Sequence, residues 1–177
     1  MKQTIRFSAL LFCLTMAMVS CNKNKTQWSS FYGYSLDDIV GKYSYSDEPK
    51  AFDRITESED VHICEDASIE IKKLSETMVS FDIDCPEAEF RQSFVGRPTK
   101  NKNDNLIQLS SGYNKGRDGT ISAYNVLADV YKNDESQIRL HGFASFDIYK
   151  VVSDANQIGS DTIVESRTAY YFDVIKN

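Results

Sequence analysis

Histidine is scarce in this chain. His62 and His141 are its two copies, and neither belongs to a Gly-x-Ser-x-Gly elbow or to a recognisable Ser, His and Asp set. Nucleophilic hydrolysis of that type therefore has no local signature. A phosphate-binding glycine-rich loop and a dinucleotide fingerprint are also missing, so neither common nucleotide motif is available. Basic charge is in deficit: 20 Lys and Arg stand against 26 Asp and Glu, a formal charge of −6. Binding to nucleic acid rests on clustered Lys and Arg, and no nucleic-acid partner is expected. No block of about five or six like charges marks a charged tail.

The one long apolar run, residues 7–19, follows Lys2 and Arg6 and ends at the small residue Ser20. That is the layout of a secretory signal peptide. The run is shorter than the ~20 apolar residues of a stable membrane-spanning helix, so residues 1–20 are expected to be removed. Met18-Val19-Ser20-Cys21 resembles the lipobox of bacterial lipoproteins, with Met18 where Leu is usual. In that family the cysteine is linked to diacylglycerol and becomes the mature N-terminus. The resemblance implies lipid attachment at Cys21, with acyl chains such as palmitate, and a cell-envelope location on the outer membrane, facing the periplasm or the surface. Two or more acyl chains hold a protein firmly where one holds it marginally. The alternative is an ordinary signal peptide with a chance cysteine nearby. Removing residues 1–20 would leave 157 of the 177 residues and take Lys2 and Arg6 away, moving the formal charge from −6 to −8. One domain of ordinary size follows.

Cys64 and Cys85 are then the remaining isolated pair, and an oxidising compartment makes a disulfide the default. Residues 68–74 and 77–84 read as a hairpin with loop 73–76. A turn centred between Leu74 and Ser75 would set the two cysteines opposite each other as a cross-strand bridge. The competing metal site, from His62, Cys64 and Cys85, has three ligands and no zinc-type spacing.

Residues 21–35 read as a polar tether whose aromatic end, with Trp28, Phe31, Tyr32 and Tyr34, docks onto the domain. Ser35 followed by Leu36, Asp37, Asp38 and Ile39 offers an N-cap and two acids in a first turn, enough for one short helix. From there the chain is all-β in pattern, with short runs rich in Tyr, Phe, Val, Ile and Thr between turn residues. Eight strands are expected, at 40–46, 68–74, 77–84, 89–95, 106–112, 120–131, 136–150 and 164–175. In the seventh, Ile138, Leu140, Gly142, Ala144, Phe146 and Ile148 share one face, read as buried. Gln137, Arg139, His141, Ser145 and Asp147 share the other, read as wet. Asp118-Gly119 and Asn133-Asp134 are tight-turn signals. Sequential strands with short connections favour an eight-stranded up-and-down antiparallel barrel over residues 36–177, because closure removes exposed edges. The long connection 47–67 fits a compact domain as a lid.

A short helical turn, then Gly41-Lys42-Tyr43 opening the first strand, a long first loop and seven more strands together resemble the lipocalin-like (calycin) group, as found in small Bacteroidetes lipoproteins. That family opens with Gly-x-Trp, whose aromatic plugs the closed barrel end and is often covered by an arginine of the last strand. The resemblance implies that Tyr43 takes the aromatic position and Arg167 the covering one. It further implies a non-catalytic, membrane-anchored protein that binds a small apolar or amphipathic ligand through the open end and the first loop. The alternative is an envelope protein-interaction or inhibitor module whose barrel is filled by its own side chains. No cofactor is expected.

Residues 154–165 match an EF-hand loop at Asp154, Asn156, Gly159 and Glu165, but Ile158 supplies no side-chain oxygen at the fifth position and Asp161 takes an apolar one. The flanks read as strands, so an ordinary loop without metal is the expectation.

Overall fold

The computed structural model of the chain describes residues 26–52, 60–98, 104–110, 114–116, 120–153 and 160–177. The lipobox cysteine Cys21, the Asp118-Gly119 turn and residues 154–159 of the EF-hand-like loop lie outside them. The fold is all-β. Its strands are β1 (Trp28–Ser30), β2 (Gly41–Tyr45), β3 (Asp60–Ile63), β4 (Ser68–Lys73), β5 (Val79–Cys85), β6 (Phe90–Gly96), β7 (Leu106–Ser110), β8 (Asn114–Lys115), β9 (Ile121–Asn133), β10 (Ile138–Ser153) and β11 (Ser160–Lys176), with one helical turn, α1 (Leu36–Ile39), before β2. They join in one sheet of order β1-β9-β10-β11-β2-β4-β5-β6, with β3 on β11 and with β7 and β8 on β9.

α1 forms for the reason its residues suggest. Ser35 Oγ accepts from Asp38 N–H at 3.3 Å and Asp38 Oδ2 accepts from Ser35 N–H at 2.7 Å, a reciprocal capping box that satisfies two orphan donors. Leu36 and Ile39 face inward. Gly41, at φ +149°, turns the chain into β2 through a conformation that other residues rarely adopt. Two residues on, the buried Tyr43 hydroxyl donates to Ile39 O at 2.6 Å, tying the start of β2 to the end of α1.

All eight expected strands are present, and side-chain alternation along them explains the core. Inward positions of β4, β5, β6, β9, β10 and β11 bring Ile69, Ile71, Phe81, Ile83, Phe94, Val126, Leu140 and Phe172 out of water. Each such side chain contributes roughly 1.5–3 kcal/mol. Phe81 meets Phe94 at 6.3 Å and Phe172 at 6.1 Å between ring centroids, so rings from β5, β6 and β11 touch across the interior. Further along, Phe90 stacks on Tyr170 at 3.8 Å and Tyr124 packs on Phe146 at 4.8 Å.

Closure into an eight-stranded up-and-down barrel is not what the chain does. Among the described residues β6 pairs with β5 alone. β7 comes close to β6, an ideal Cβ at Gly96 standing 3.0 Å from Leu109 Cδ2, yet the two share no ladder. The physical reason lies on β9. Its outer edge is taken in series by three short strands, β8 at Ile121 and Ser122, β7 at 125–129 and β1 at 131–133, so no continuous strand stands ready to meet β6. The sheet also departs from an antiparallel meander at β3, which lies inside the expected long loop and runs parallel to β11 with Asp60 opposite Thr168. The ordered fold starts before Leu36, since Trp28–Ser30 is paired strand.

The disulfide is present: Cys64 and Cys85 are bonded, with Cα atoms 5.6 Å apart. Its setting differs from the expected cross-strand pair. β4 and β5 pair with Ser68 opposite Asp84, which centres their turn on Glu76 and would place Ala88 opposite Cys64. Cys64 instead directly follows β3, and its N–H bonds Tyr171 O at 2.8 Å. The bridge fastens the returning first loop to the end of β5.

Candidate functional site

The face of β9, β10 and β11 that points away from the core is built in rows fixed by register. Tyr131, Arg139 and Ile175 form one row, Asp129, His141 and Asp173 the next, then Leu127, Phe143 and Tyr171, then Asn125, Ser145 and Ala169, then Ala123, Asp147 and Arg167. Alternation assigns these residues to one face correctly, but the face is not wet. Arg139, Ser145, Asp147 and Asp173 are all buried, and the His141 side chain keeps 12% of its exposure.

Two things cover the face. The first is residues 46–52, which leave β2 and cross β11 and β10 as a strap. Ser46 N–H bonds Asp173 O at 2.9 Å, Arg139 Nη2 donates to Glu48 O at 2.9 Å, and Lys50 N–H donates to Asp173 Oδ2. Phe52 then stacks on His141 at 4.7 Å and meets Tyr171 edge-on at 5.1 Å. The second is mutual pairing of the charges. Asp173 accepts from Arg139 Nε at 2.6 Å and from Nη2. His141 Nδ1 approaches Asp173 Oδ2 to 3.3 Å without the alignment of a linear hydrogen bond. The Arg139 guanidinium also lies 5.4 Å from the Trp28 ring, a cation–π contact. Burial works against ionisation of Asp173, but the polar contacts from His141, Arg139 and Lys50 N–H outweigh it and hold its carboxyl below the usual carboxylate range.

Asp147 repeats the pattern further along the hairpin. It accepts from Arg167 Nε at 2.7 Å, Asn125 Nδ2 at 2.8 Å and the Tyr149 hydroxyl at 2.9 Å. Here too burial opposes ionisation, and the bonds from Arg167 and Tyr149 prevail, lowering the pKa.

Between strap and sheet is a cleft of about 170 Å³. Phe52, Leu106, Leu127, Phe143 and Tyr171 supply apolar walls, and Lys50, Asp129, Tyr131 and His141 supply polar ones. Lys50 Nζ donates to the Tyr131 hydroxyl at 2.9 Å and lies 4.4 Å from that ring's centroid. Comparison with family models, curated proteins and solved structures finds no match.

The residues singled out from sequence are distributed as follows. Cys64 and Cys85 are joined. Tyr43 and Arg167 are not together: Tyr43 pairs with Lys176 on β11, roughly 30 Å along the strand from Arg167 at 3.3 Å per residue. Arg167 serves Asp147 instead, with its guanidinium 5.9 Å from the Phe143 ring. His62 is partly exposed beside Asp60 and stacks on Tyr170 at 5.1 Å. In the EF-hand-like segment, Ser160 to Glu165 are β11 residues, and 160–164 pair with β10. Among the described residues no group of three or more acidic, histidine or cysteine side chains is arranged to hold a metal.

Sequence reasoning passed over Lys50, Phe52, Asp129 and Asp173. One signal for Asp173 was in the chain. The positions in each of the pairs His141–Asp173 and Asp147–Arg167 add to 314, so complementary side chains stand equidistant from one turn, as in a hairpin whose charges pair across it.

Proposed function

We propose that this protein is a non-catalytic binding module of the cell envelope, lipid-anchored through Cys21, that holds a small apolar or amphipathic molecule in the cleft beneath the strap. The observation that carries the proposal is the contrast between interior and outer face. The interior is packed by Phe81, Phe94 and Phe172, whereas the outer face keeps a cleft of about 170 Å³ with an aromatic roof. An apolar cavity of about 150 Å³ accommodates a benzene-sized molecule, and sites for drug-sized ligands run from about 300 Å³ upward. The ligand that fits this cleft is one ring or a short branched chain. A lipocalin-like origin belongs to the same proposal, supported by the capped turn and Gly41-Lys42-Tyr43 at the start of β2.

Ligand-observed NMR with the full chain and a set of single-ring amphiphiles tests the site. Leu127→Trp, which fills the cleft, abolishes binding, whereas the interior change Ile83→Val leaves it intact. Binding that survives Leu127→Trp refutes the placement. For the anchor, globomycin blocks maturation of the precursor, and normal maturation in its presence counts against Cys21.

A second reading, a protein-interaction module, is favoured by the far end of the β10–β11 hairpin. β9 stops pairing at Tyr149 and β3 begins at Thr168, so among the described residues the hairpin beyond them is a two-stranded ribbon carrying the exposed Ile163 and Val164. Such a ribbon is marginal by itself in water. Recovery of a stoichiometric envelope partner that is lost on Ile163→Lys would favour this reading.

A further inference from the structure

We propose that the cleft recognises a zwitterion, namely a free α-amino acid whose apolar side chain is a single ring or a branched chain. This rests on the binding role given above and adds the charges of the ligand. Among the described residues two formally charged side chains line the cleft besides His141, and their signs are opposite: Lys50 on the strap and Asp129 on β9. The Lys50 ammonium is positioned by the Tyr131 hydroxyl and ring. With one of its three donors engaged, two remain for a carboxylate.

Asp129 lies on the same face of β9 as Tyr131, two residues away and directly opposite His141, about 7 Å along the strand. Among the described residues its carboxylate takes no hydrogen bond or ion pair. The other charges nearby are already matched, since Asp173 is saturated by Arg139 and the strap N–H of Lys50. Among the described residues the cleft therefore offers one uncommitted anion and one cation with spare donors, the cation held at Tyr131 and the anion one same-face position, about 7 Å, further along β9.

A carboxylic acid with an apolar tail would satisfy Lys50 and face Asp129 with like charge. An amine would satisfy Asp129 and face Lys50. A single carbon bearing both groups satisfies the two together, and its side chain meets Phe52, Leu127, Phe143 and Tyr171. At about 170 Å³ the space suits a phenylalanine- or leucine-sized molecule better than a peptide.

Three probes share one ring and differ in charge: L-phenylalanine, 3-phenylpropionate and 2-phenylethylamine. Titration calorimetry of each into the full chain at neutral pH is expected to rank L-phenylalanine tighter than either analogue by about tenfold or more, the effect of losing one charge-assisted contact. Asp129→Asn brings L-phenylalanine down to the level of 3-phenylpropionate, and Lys50→Met brings it down to the level of 2-phenylethylamine. The analogue series needs no variant, so a folding defect in either mutant does not blunt the test. If 3-phenylpropionate or 2-phenylethylamine binds as tightly as L-phenylalanine, the zwitterion is refuted and the small-molecule cleft stands. If none of the three binds and benzyl alcohol also fails, both fall.

Discussion

Removing one partner from the Arg139–Asp173 pair should destabilise the fold far more than the surface position of its strands suggests. The side chains keep 7% and 0% of their exposure, so Arg139→Met strands a carboxylate in a place with little water. Loss of one member of a buried pair costs about 3–5 kcal/mol. Lys50 N–H and His141 still face Asp173, which puts the expected loss near the lower figure. Asp173→Asn leaves the guanidinium its bond to Glu48 O and the Trp28 ring, and should fall in the same range. The double variant buries no unpaired charge. Its loss should be smaller than the sum of the singles by about 2 kcal/mol, within the span measured for residues of one network. Trp28 is the one tryptophan of the chain and lies against Arg139, so its fluorescence follows the site directly. In urea, with m near 1–3 kcal/mol/M, a loss of about 3 kcal/mol moves the midpoint by about 1–3 M. Single losses under about 1 kcal/mol, or losses that add, would mean the pair is solvated in solution and would refute the reasoning.

Reducing the disulfide, or replacing Cys64 and Cys85 together by Ser, should cost about 3 kcal/mol, the chain-entropy figure for a loop closed over a separation of 21; a melting curve indifferent to reductant would contradict the bond. Asp147 and Asp173 both have lowered pKa values in the folded chain, so their contribution is complete above the unfolded carboxylate pKa near 3.9 and is lost as pH falls through the lower folded values. Urea midpoints should therefore hold steady from about pH 7 to pH 5 and drop below about pH 4, with a shallower drop in Asp173→Asn; a steady decline across the neutral range would point to other groups. At Gly142 an ideal Cβ would sit 2.1 Å from Leu127 O, a backbone atom that yields only if β9 shifts, so Gly142→Ala should cost about 1–3 kcal/mol or more in the same urea assay, and a neutral result would show that the strands are not so close.

What could be read from the chain depended on whether the signal was local. Runs of β-prone residues between turn residues located eight strands, and period-two alternation the inward face of β10, because both signals depend only on neighbouring residues. The N-cap at Ser35 and the acids of the first turn were equally local. β1 and β3 escaped because three or four residues such as Trp28–Ser30 and Asp60–Ile63 carry no period, and their pairing partners lie about a hundred residues away, as with Ser29 opposite Lys132. Arg139, His141, Ser145 and Asp147 were placed on the right face and given the wrong surroundings. Alternation separates two faces of a strand, but which face is covered is decided by chain arriving from elsewhere, here residues 46–52. The cysteines were paired correctly through a register three positions off in sum, since exclusion of other partners, and not the turn geometry, determined the pairing.

The two ion pairs of the outer face differ in a way that bears on function. Asp147–Arg167 leaves Arg167 28% exposed with no described strap above it, while Asp173–Arg139 lies beneath residues 46–52. If these pairs served only to hold the register of the β10–β11 hairpin, the outer one shows that the strap is not needed for that. A buried pair is in any case a weak source of net stability, and its better-attested use is to specify one arrangement among several. The inner pair specifies the strap. Through the Asp173 carboxylate it holds the backbone at Lys50 and through Arg139 it holds Glu48, while Ser46 N–H bonds the Asp173 main-chain O, so three alternate residues of one segment are fixed. That spacing fixes where Lys50 and Phe52 fall over Tyr131 and His141. The strap is short and carries few apolar groups, so hydrophobic area alone would leave it free to slide. Directed bonds to one carboxylate and one guanidinium remove that freedom, and the cleft has a defined roof because of them.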